Sequence, residues 1–322
     1  MTDIFQKKYF KKVLYLMFGT ICIYYVTKII VFDKNKIDNI FQNLNYFNIS
    51  FAIFLYLLSH SVRVLRLIIL NPITDYSIKG LWREQYKANG VNLLLPFKLG
   101  ESYRVVYFRS FFGSYFNSFA VLLCERLLDV ITIFLILSFC IFFSSLSIPS
   151  LDFILFGSTI LLLTIILIYY SLEEIVSIIH RVFIQKQTNN INSIIVNLTG
   201  NLIDAIANLK KILNKKYASC LTTSFVIWFL EISAFFIFFD VLNGQLDLII
   251  FLALAVSLSS LLPNGPMGYG GIQIAFYSVG IIANNPDLVN YSIIYSVFIF
   301  GSGLLVSGVL FLYDFFRIDK NA

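Results

Sequence analysis

Charge is scarce in this chain of 322 residues: Asp, Glu, Lys and Arg make up 13%, about half of what a soluble domain carries. That shortage leaves no stretch that reads as a water-facing domain. Histidine is rarer, with His60 and His180 alone, and neither has a Glu or Cys at ligand spacing, so a metal centre has no donor set. Cys22, Cys124, Cys140 and Cys220 stand singly inside apolar segments, the usage of small buried side chains and not of metal or redox work. No G-x-x-x-x-G-K-[ST] loop and no strand-to-helix Rossmann context occurs, which argues against a nucleotide. Ser-His-Asp, Cys-His and metalloprotease spacings are also missing, so no catalytic motif is signalled. No cofactor and no metal are expected.

What is present is apolar. Hydrophobic residues make up 58% and aromatic residues 17%, in runs that reach the roughly 20 residues needed to cross a bilayer as a helix. The alternating ten-residue pattern of an outer-membrane barrel is absent. The expected fold is all-α: one polytopic helical membrane domain over 1–322, with about six full spans and two opposed re-entrant hairpins. The spans fall at about 13–32, 47–70, 117–144, 151–172, 217–239 and 288–313. The first is too long for a secretory leader and lacks a small-residue cleavage site, so it reads as a retained helix.

Two further apolar stretches, about 81–112 and 247–283, are broken in the middle, at Pro96–Gly100 and at Pro263–Gly268. Their arms, about 12 to 16 residues each, reach roughly 18 to 24 Å at helical rise, short of a crossing. Each therefore reads as a hairpin that enters and leaves on one side.

Basic residues set the orientation. Lys7, Lys8, Lys11 and Lys12 place the amino terminus in the cytoplasm. Arg63, Arg66, Lys79, Arg83, Lys87 and Arg109 mark a return to that side, so the first hairpin opens inward. The segment holding Arg181, Lys186, Lys210, Lys211, Lys215 and Lys216 is cytoplasmic by the same rule, and Arg317 and Lys320 put the carboxyl terminus there. The second hairpin, flanked by Asp240, Asp247 and Asp287, opens outward. Opposed broken elements are a signature of transporter folds, where irregular backbone lines a cavity. Net charge of +6 is explained by this flanking, with no nucleic acid implied. Between 191 and 216, Ile194, Ile195, Leu198, Leu202, Ile203, Ile206, Leu209 and Leu213 recur at helical spacing and predict an amphipathic cytoplasmic helix, either an interfacial connector or a partner-binding element.

Ionisable residues inside a membrane are costly and so informative. Glu125, Arg126 and Asp129 lie about 12 to 18 Å into the third span at helical rise, with the two carboxylates on one face, where a basic group of a neighbouring helix can pair with them. Glu231 stands alone in the fifth span and needs a partner from elsewhere. Glu101 and Arg104 follow Gly100 at the start of the returning arm. A guanidinium steadied by a carboxylate beside a helix start suits a phosphate. Equally, all these charges could be ion pairs that fix the bundle. In the late break the glycines either cradle a ligand or permit a tight turn.

Three ordered motifs carry a family resemblance. N-x-x-L-P-x-x-x-G-E-x-x-R runs from Asn92 through Pro96, Gly100 and Glu101 to Arg104; E-R-x-x-D is Glu125, Arg126 and Asp129; P-x-G-P-x-G-x-G-G spans Pro263, Gly265, Gly268 and Gly271. Together they resemble the flippase-like membrane family related to the transmembrane region of lysylphosphatidylglycerol synthases. The resemblance implies a multi-pass protein of the bacterial inner membrane that moves, or helps move, a phospholipid or lipid-linked glycan between leaflets. It makes membrane lipids the expected partners and the motif residues the expected site. Relatives commonly carry a glutamate after the late Gly-Gly pair, where this chain has Gln273. No aminoacyl-transfer domain is recognisable in the 322 residues, so lysyl transfer is not expected of them. The rival reading is a non-transporting accessory subunit that scaffolds an envelope-biosynthesis enzyme, with its membrane charges mutually paired. A membrane transferase would need an acid or histidine at the cytoplasmic surface, and only His180 with Glu173 and Glu174 is nearby.

Overall fold

The computed structural model describes residues 45–71, 73, 75–95, 100–143, 151–185, 190–239, 246–261, 271–282 and 288–320. The expected first span at 13–32, the turn at 96–99 and the Pro263–Gly270 stretch lie outside them. Among the described residues every regular element is helical: α1 Tyr46–Leu70, α2 Ile78–Leu94, α3 Gly100–Phe112, α4 Tyr115–Phe143, α5 Leu151–Gln185, α6 Asn190–Phe238, α7 Leu246–Leu261, α8 Gly271–Ile282, α9 Leu288–Tyr295, a π-helical turn Ser296–Phe300, and α10 Gly301–Lys320. Among the described residues three helical stretches, Tyr46–Leu70, Asn192–Phe238 and Asn290–Arg317, are long and apolar enough to cross a membrane. The all-α polytopic class read from the sequence holds.

Local chemistry sets the helix ends. The Asn45 side chain accepts the Phe47 amide at 3.0 Å and caps α1. At the far end the Asn71 side chain accepts the Ile73 amide at 2.9 Å in an Asx turn. Gly113, at φ 79°, closes α3 in the left-handed conformation that glycine adopts most easily. Its amide donates to the Arg109 carbonyl at 2.8 Å. Ser114 then caps α4 through the Asn117 amide at 3.0 Å, while the Asn117 side chain donates to the Phe112 carbonyl at 2.9 Å.

Two compact units divide the chain, one built from the described parts of 1–61, 79–104 and 229–322, the other from 62–78 and 105–228. In the first, rings of Phe235 and Phe238 on α6 and of Phe239 just past its end meet Phe276 on α8 and Tyr295 on α9, with centroids 4.5 Å apart for Phe235 and Phe239 and 5.5 Å for Phe239 and Phe276. Ile49 and Ala52 of α1 and Leu252 and Val256 of α7 complete this core. α7 and α8 pack on each other. Helices α2 and α3 run antiparallel, since Asn92 meets Glu101 while Gln85 and Glu84 meet Arg104 and Tyr103.

Small residues bring α2 against α10. A Cβ built at Gly90 would land on the Cβ and Oγ of Ser307, and one at Gly303 would lie 2.8 Å from Asn89 Nδ2. Close backbone approach through Gly and Ser is the standard solution where lipid removes the hydrophobic drive between helices. Gly90→Ala is expected to destabilise by about 1–3 kcal/mol through overpacking. Gly90→Ala with Ser307→Gly should recover most of it, as read by thermal unfolding in mild detergent. Equal unfolding temperatures for the single and double variants would refute this contact.

In the second unit α5 and α6 pair antiparallel. Lys210 donates to Glu173 at 2.7 Å and the His180 ring nitrogen Nδ1 lies 2.7 Å from Thr199 Oγ1. The predicted amphipathic helix and fifth span are two helices that follow directly on each other within α6, joined across a kink at Lys216, whose φ −122° and ψ 18° are not helical. No Gly or Pro interrupts 202–238, so the sequence offers no reason for a loop there. α5 likewise continues past the expected end at 172 to Gln185. Large apolar side chains, among them Phe47, Phe139, Leu167 and Phe229, point outward, the arrangement of a protein whose solvent is hydrocarbon.

Candidate functional site

The motif residues are distributed over three local groups. On the α2–α3 pair, Gly100 opens α3 directly against Asn92, whose backbone leaves no room for a side chain there. Asn92 Nδ2 donates to Glu101 Oε1 at 3.2 Å, and Glu101 Oε2 accepts from Arg104 Nη1 at 3.3 Å. Arg104, only 4% exposed, also donates from Nη2 to Gln85 Oε1 at 3.1 Å. The guanidinium is thus held by one carboxylate and one amide within a polar seam between two helices.

The neighbouring turns of α2 continue that seam. Lys87, 2% exposed, binds Glu84 at 2.6 Å and makes a second ion pair with Asp314 of α10. Arg83 pairs with the other Asp314 oxygen and stacks on Tyr313. Tyr103 donates to Glu84 at 2.7 Å, and Ser307 donates to the Lys87 carbonyl at 3.2 Å. Two cations and two carboxylates are therefore balanced, as burial of charge demands.

The second unit holds a separate cluster. Arg66 of α1 and Asp129 of α4 are both 0% exposed, and Arg66 Nη1 reaches Asp129 Oδ1 at 2.7 Å. Its other nitrogen reaches Glu125 at 3.2 Å, and Ser224 of α6 accepts from Nη1 at 2.8 Å. Trp228 donates its indole N–H to Asp129 at 3.2 Å, and Arg63 approaches the second Asp129 oxygen at 3.4 Å while lying over the Trp228 ring. Arg126 reaches Asp129 at 3.5 Å and is 35% exposed, so it is the outward member of this group. A planar fork that bridges two carboxylates uses the geometry that favours Arg over Lys in buried pairs.

Glu231 is placed in the first unit, where Ser59 Oγ donates to it at 3.0 Å. Gly271 begins α8 and Gln273 is half-buried on it. Pro96, Pro263, Gly265 and Gly268 lie outside the described residues. Among the described residues no group of three His, Cys, Asp or Glu is placed to hold a metal ion. Glu173 and His180, the grouping considered for a transferase, engage Lys210 and Thr199 of α6.

The i, i+4 spacing brings Glu125 and Asp129 to one face but does not name Arg66 as their cation. Arg63 and Arg66 served only as orientation markers, and so did Lys87. The signal was available: an arginine four residues from the end of a 25-residue apolar helix, and Asp314 alone in the run FLYDFF, carry the same burial cost as the residues that were singled out.

The helices and their outward apolar faces define a multi-pass membrane protein. Residues 13–308 match the family described as the lysylphosphatidylglycerol synthase TM region. With most of its length matched, the chain belongs to that family. No curated protein and no solved structure gives a significant match.

Proposed function

We propose that this protein moves a phospholipid or lipid-linked glycan between the leaflets of a bacterial inner membrane, with both termini cytoplasmic and without catalysing a covalent step. The observation that carries the reading is the α2–α3 seam. A pair of helices of 17 and 13 residues, about 26 and 20 Å at helical rise, holds Arg104, Lys87, Asn92 and Glu101 in the interior of an otherwise apolar chain. Membrane proteins tolerate a short polar hairpin at depth where it borders a path for a polar substrate. Arg104 is the residue assigned to the headgroup phosphate, Glu101 and Gln85 position it, and α7 with α8 form the opposed hairpin. Family membership supports lipid work in general.

A second reading has its own support. Arg66, Lys87 and Arg104 all have carboxylate partners, the mutual pairing expected of a scaffold for an envelope-biosynthesis enzyme. Reconstituted vesicles separate the two. If the chain translocates, dithionite-accessible fluorescent anionic lipid should appear faster with wild type than in empty vesicles, and Arg104→Ala should cut that rate by about tenfold or more, the effect of losing a charged hydrogen bond of roughly 1.5–3 kcal/mol. Equal rates for wild type and empty vesicles would favour the scaffold. Wild-type rates in Arg104→Ala would remove Arg104 from the substrate path.

A further inference from the structure

Arg104 is 4% exposed, so in this arrangement a headgroup has no way to touch it, and the role proposed for it requires the α2–α3 seam to part. What resists parting is a knot of charge where α2, α3 and α10 meet. Asp314 of α10 holds two cations, Arg83 and Lys87, which stand one turn apart on α2. Lys87 also binds Glu84 at 2.6 Å, and the other Glu84 oxygen accepts from Tyr103 of α3 at 2.7 Å. The links therefore run Asp314, Lys87, Glu84, Tyr103, and Tyr103 is the residue before Arg104. Rings close around the same point: Arg83 lies over Tyr313 at 4.9 Å, Lys87 over Phe311 at 5.5 Å, and Phe311 meets Tyr103 edge to face with centroids 6.1 Å apart.

Each link depends on the one before. A lysine 2% exposed is tolerated because carboxylates flank it on two sides. Without Asp314 one of them is gone, and an ammonium on a flexible stem gains by moving to water. Glu84 then loses the cation that fixes it for Tyr103, and α3 loses its tie to α2 beside Arg104. Further along, α2 meets α10 in another way, with Gly90 on Ser307 and Gly303 on Asn89. Close packing holds through many small contacts, whereas an ion pair is one contact that water can replace. Arg83 and Asp314 keep 18% of their side-chain surface open, so water reaches that end first.

We propose that Asp314, with Arg83 and Lys87, is a clasp that holds the α2–α3 seam shut over Arg104, and that its release is the step that admits a headgroup. The purpose of the clasp rests on the assignment of Arg104 to the headgroup; its mechanics rest only on the contacts among α2, α3 and α10.

Thiol labelling of the folded full-length protein in mild detergent tests it, with Gln85→Cys as the reporter, since Gln85 touches Arg104 and is 4% exposed. A water-soluble maleimide is applied, and modification at position 85 and at the native Cys220, 0% exposed in the other unit, is followed by peptide mass spectrometry. Position 85 should react slowly in the reporter alone and about tenfold or more faster with Asp314→Asn added, the effect of losing a charged hydrogen bond on a local opening. Asp314→Glu keeps the carboxylate and should react as the reporter alone. Cys220 should stay slow throughout. Should Asp314→Asn fail to fold, Arg83→Gln removes one of the two cations and should raise the rate at position 85 alone. Equal rates at position 85 with and without these substitutions would overturn the proposal. So would rates that rise together at position 85 and at Cys220, because that is general loosening and no clasp. The readout needs no lipid, so the two ideas fail separately. Unchanged labelling in a chain that moves lipid removes the clasp and leaves the role of Arg104; faster labelling in a chain that moves none leaves the clasp and removes that role.

Discussion

Asp129→Ala is expected to destabilise the protein by about 3–5 kcal/mol, the cost of breaking a buried ion pair by removing one partner. Asp129 receives Arg66 at 2.7 Å, the Trp228 indole at 3.2 Å, Arg63 at 3.4 Å and Arg126 at 3.5 Å. Its loss leaves Arg66, 0% exposed, with Glu125 as its remaining carboxylate. Since a whole domain is stable by only about 5–15 kcal/mol, yield and unfolding temperature should both fall sharply, and Trp228 emission should shift because its N–H loses its acceptor. Replacing the set together, Arg66→Met with Glu125→Gln and Asp129→Leu, removes the charges instead of stranding one. It should return the unfolding temperature to near the wild-type value, as apolar replacement of buried ion pairs often does. If Asp129→Ala unfolds within a degree or two of wild type, the cluster does not hold the helices. The triple variant carries a further lesson. Restored stability with unchanged lipid movement would make the cluster architectural, whereas restored stability with lost movement would give it a part in transport.

How much of this was visible in the residues follows from how local each cause is. Helix ends depend on neighbours in sequence, and the helix limits 78–94, 100–112 and 115–143 lie within a few residues of the expected boundaries. The identity of ion-pair partners is not local. Asp129 and Glu125 share a face by spacing, but nothing within α4 says that Arg66, 63 positions earlier in the chain, meets them. A charge near a helix end also has two meanings, orientation and burial; the positive-inside rule speaks only to the first, and the packing adds burial for Arg66 and Lys87. The small residues Gly303 and Ser307 of α10 and Gly90 of α2 drew no reading in the sequence, because which small residues meet is set by the fold. The π turn at Ser296–Phe300 has no Pro or Gly inside it to announce it.

Gly100→Ala is expected to be the most damaging change on the α2–α3 seam. A Cβ at that position would stand 2.6 Å from Asn92 Cα and 2.5 Å from its backbone nitrogen, closer than the 3.0 Å below which real Cβ contacts essentially do not occur. The obstacle is main chain, which no rotamer change relieves, so α2 and α3 must part. Three contacts that frame Arg104 cross this line: Asn92 to Glu101 at 3.2 Å, Gln85 to Arg104 at 3.1 Å and Glu84 to Tyr103 at 2.7 Å. The expected cost is at or above the upper end of the roughly 1–3 kcal/mol of ordinary overpacking, and the vesicle assay should show lipid movement reduced as far as in Arg104→Ala. Gly301→Ala supplies the comparison, since nothing lies within 4 Å of its Cβ position. There alanine should be neutral, or stabilising by about 0.5–1 kcal/mol, because it removes the helix penalty of glycine. If the two alanine variants unfold at the same temperature and move lipid equally well, the helices do not meet at Gly100, and the proposed headgroup role of Arg104 loses its frame.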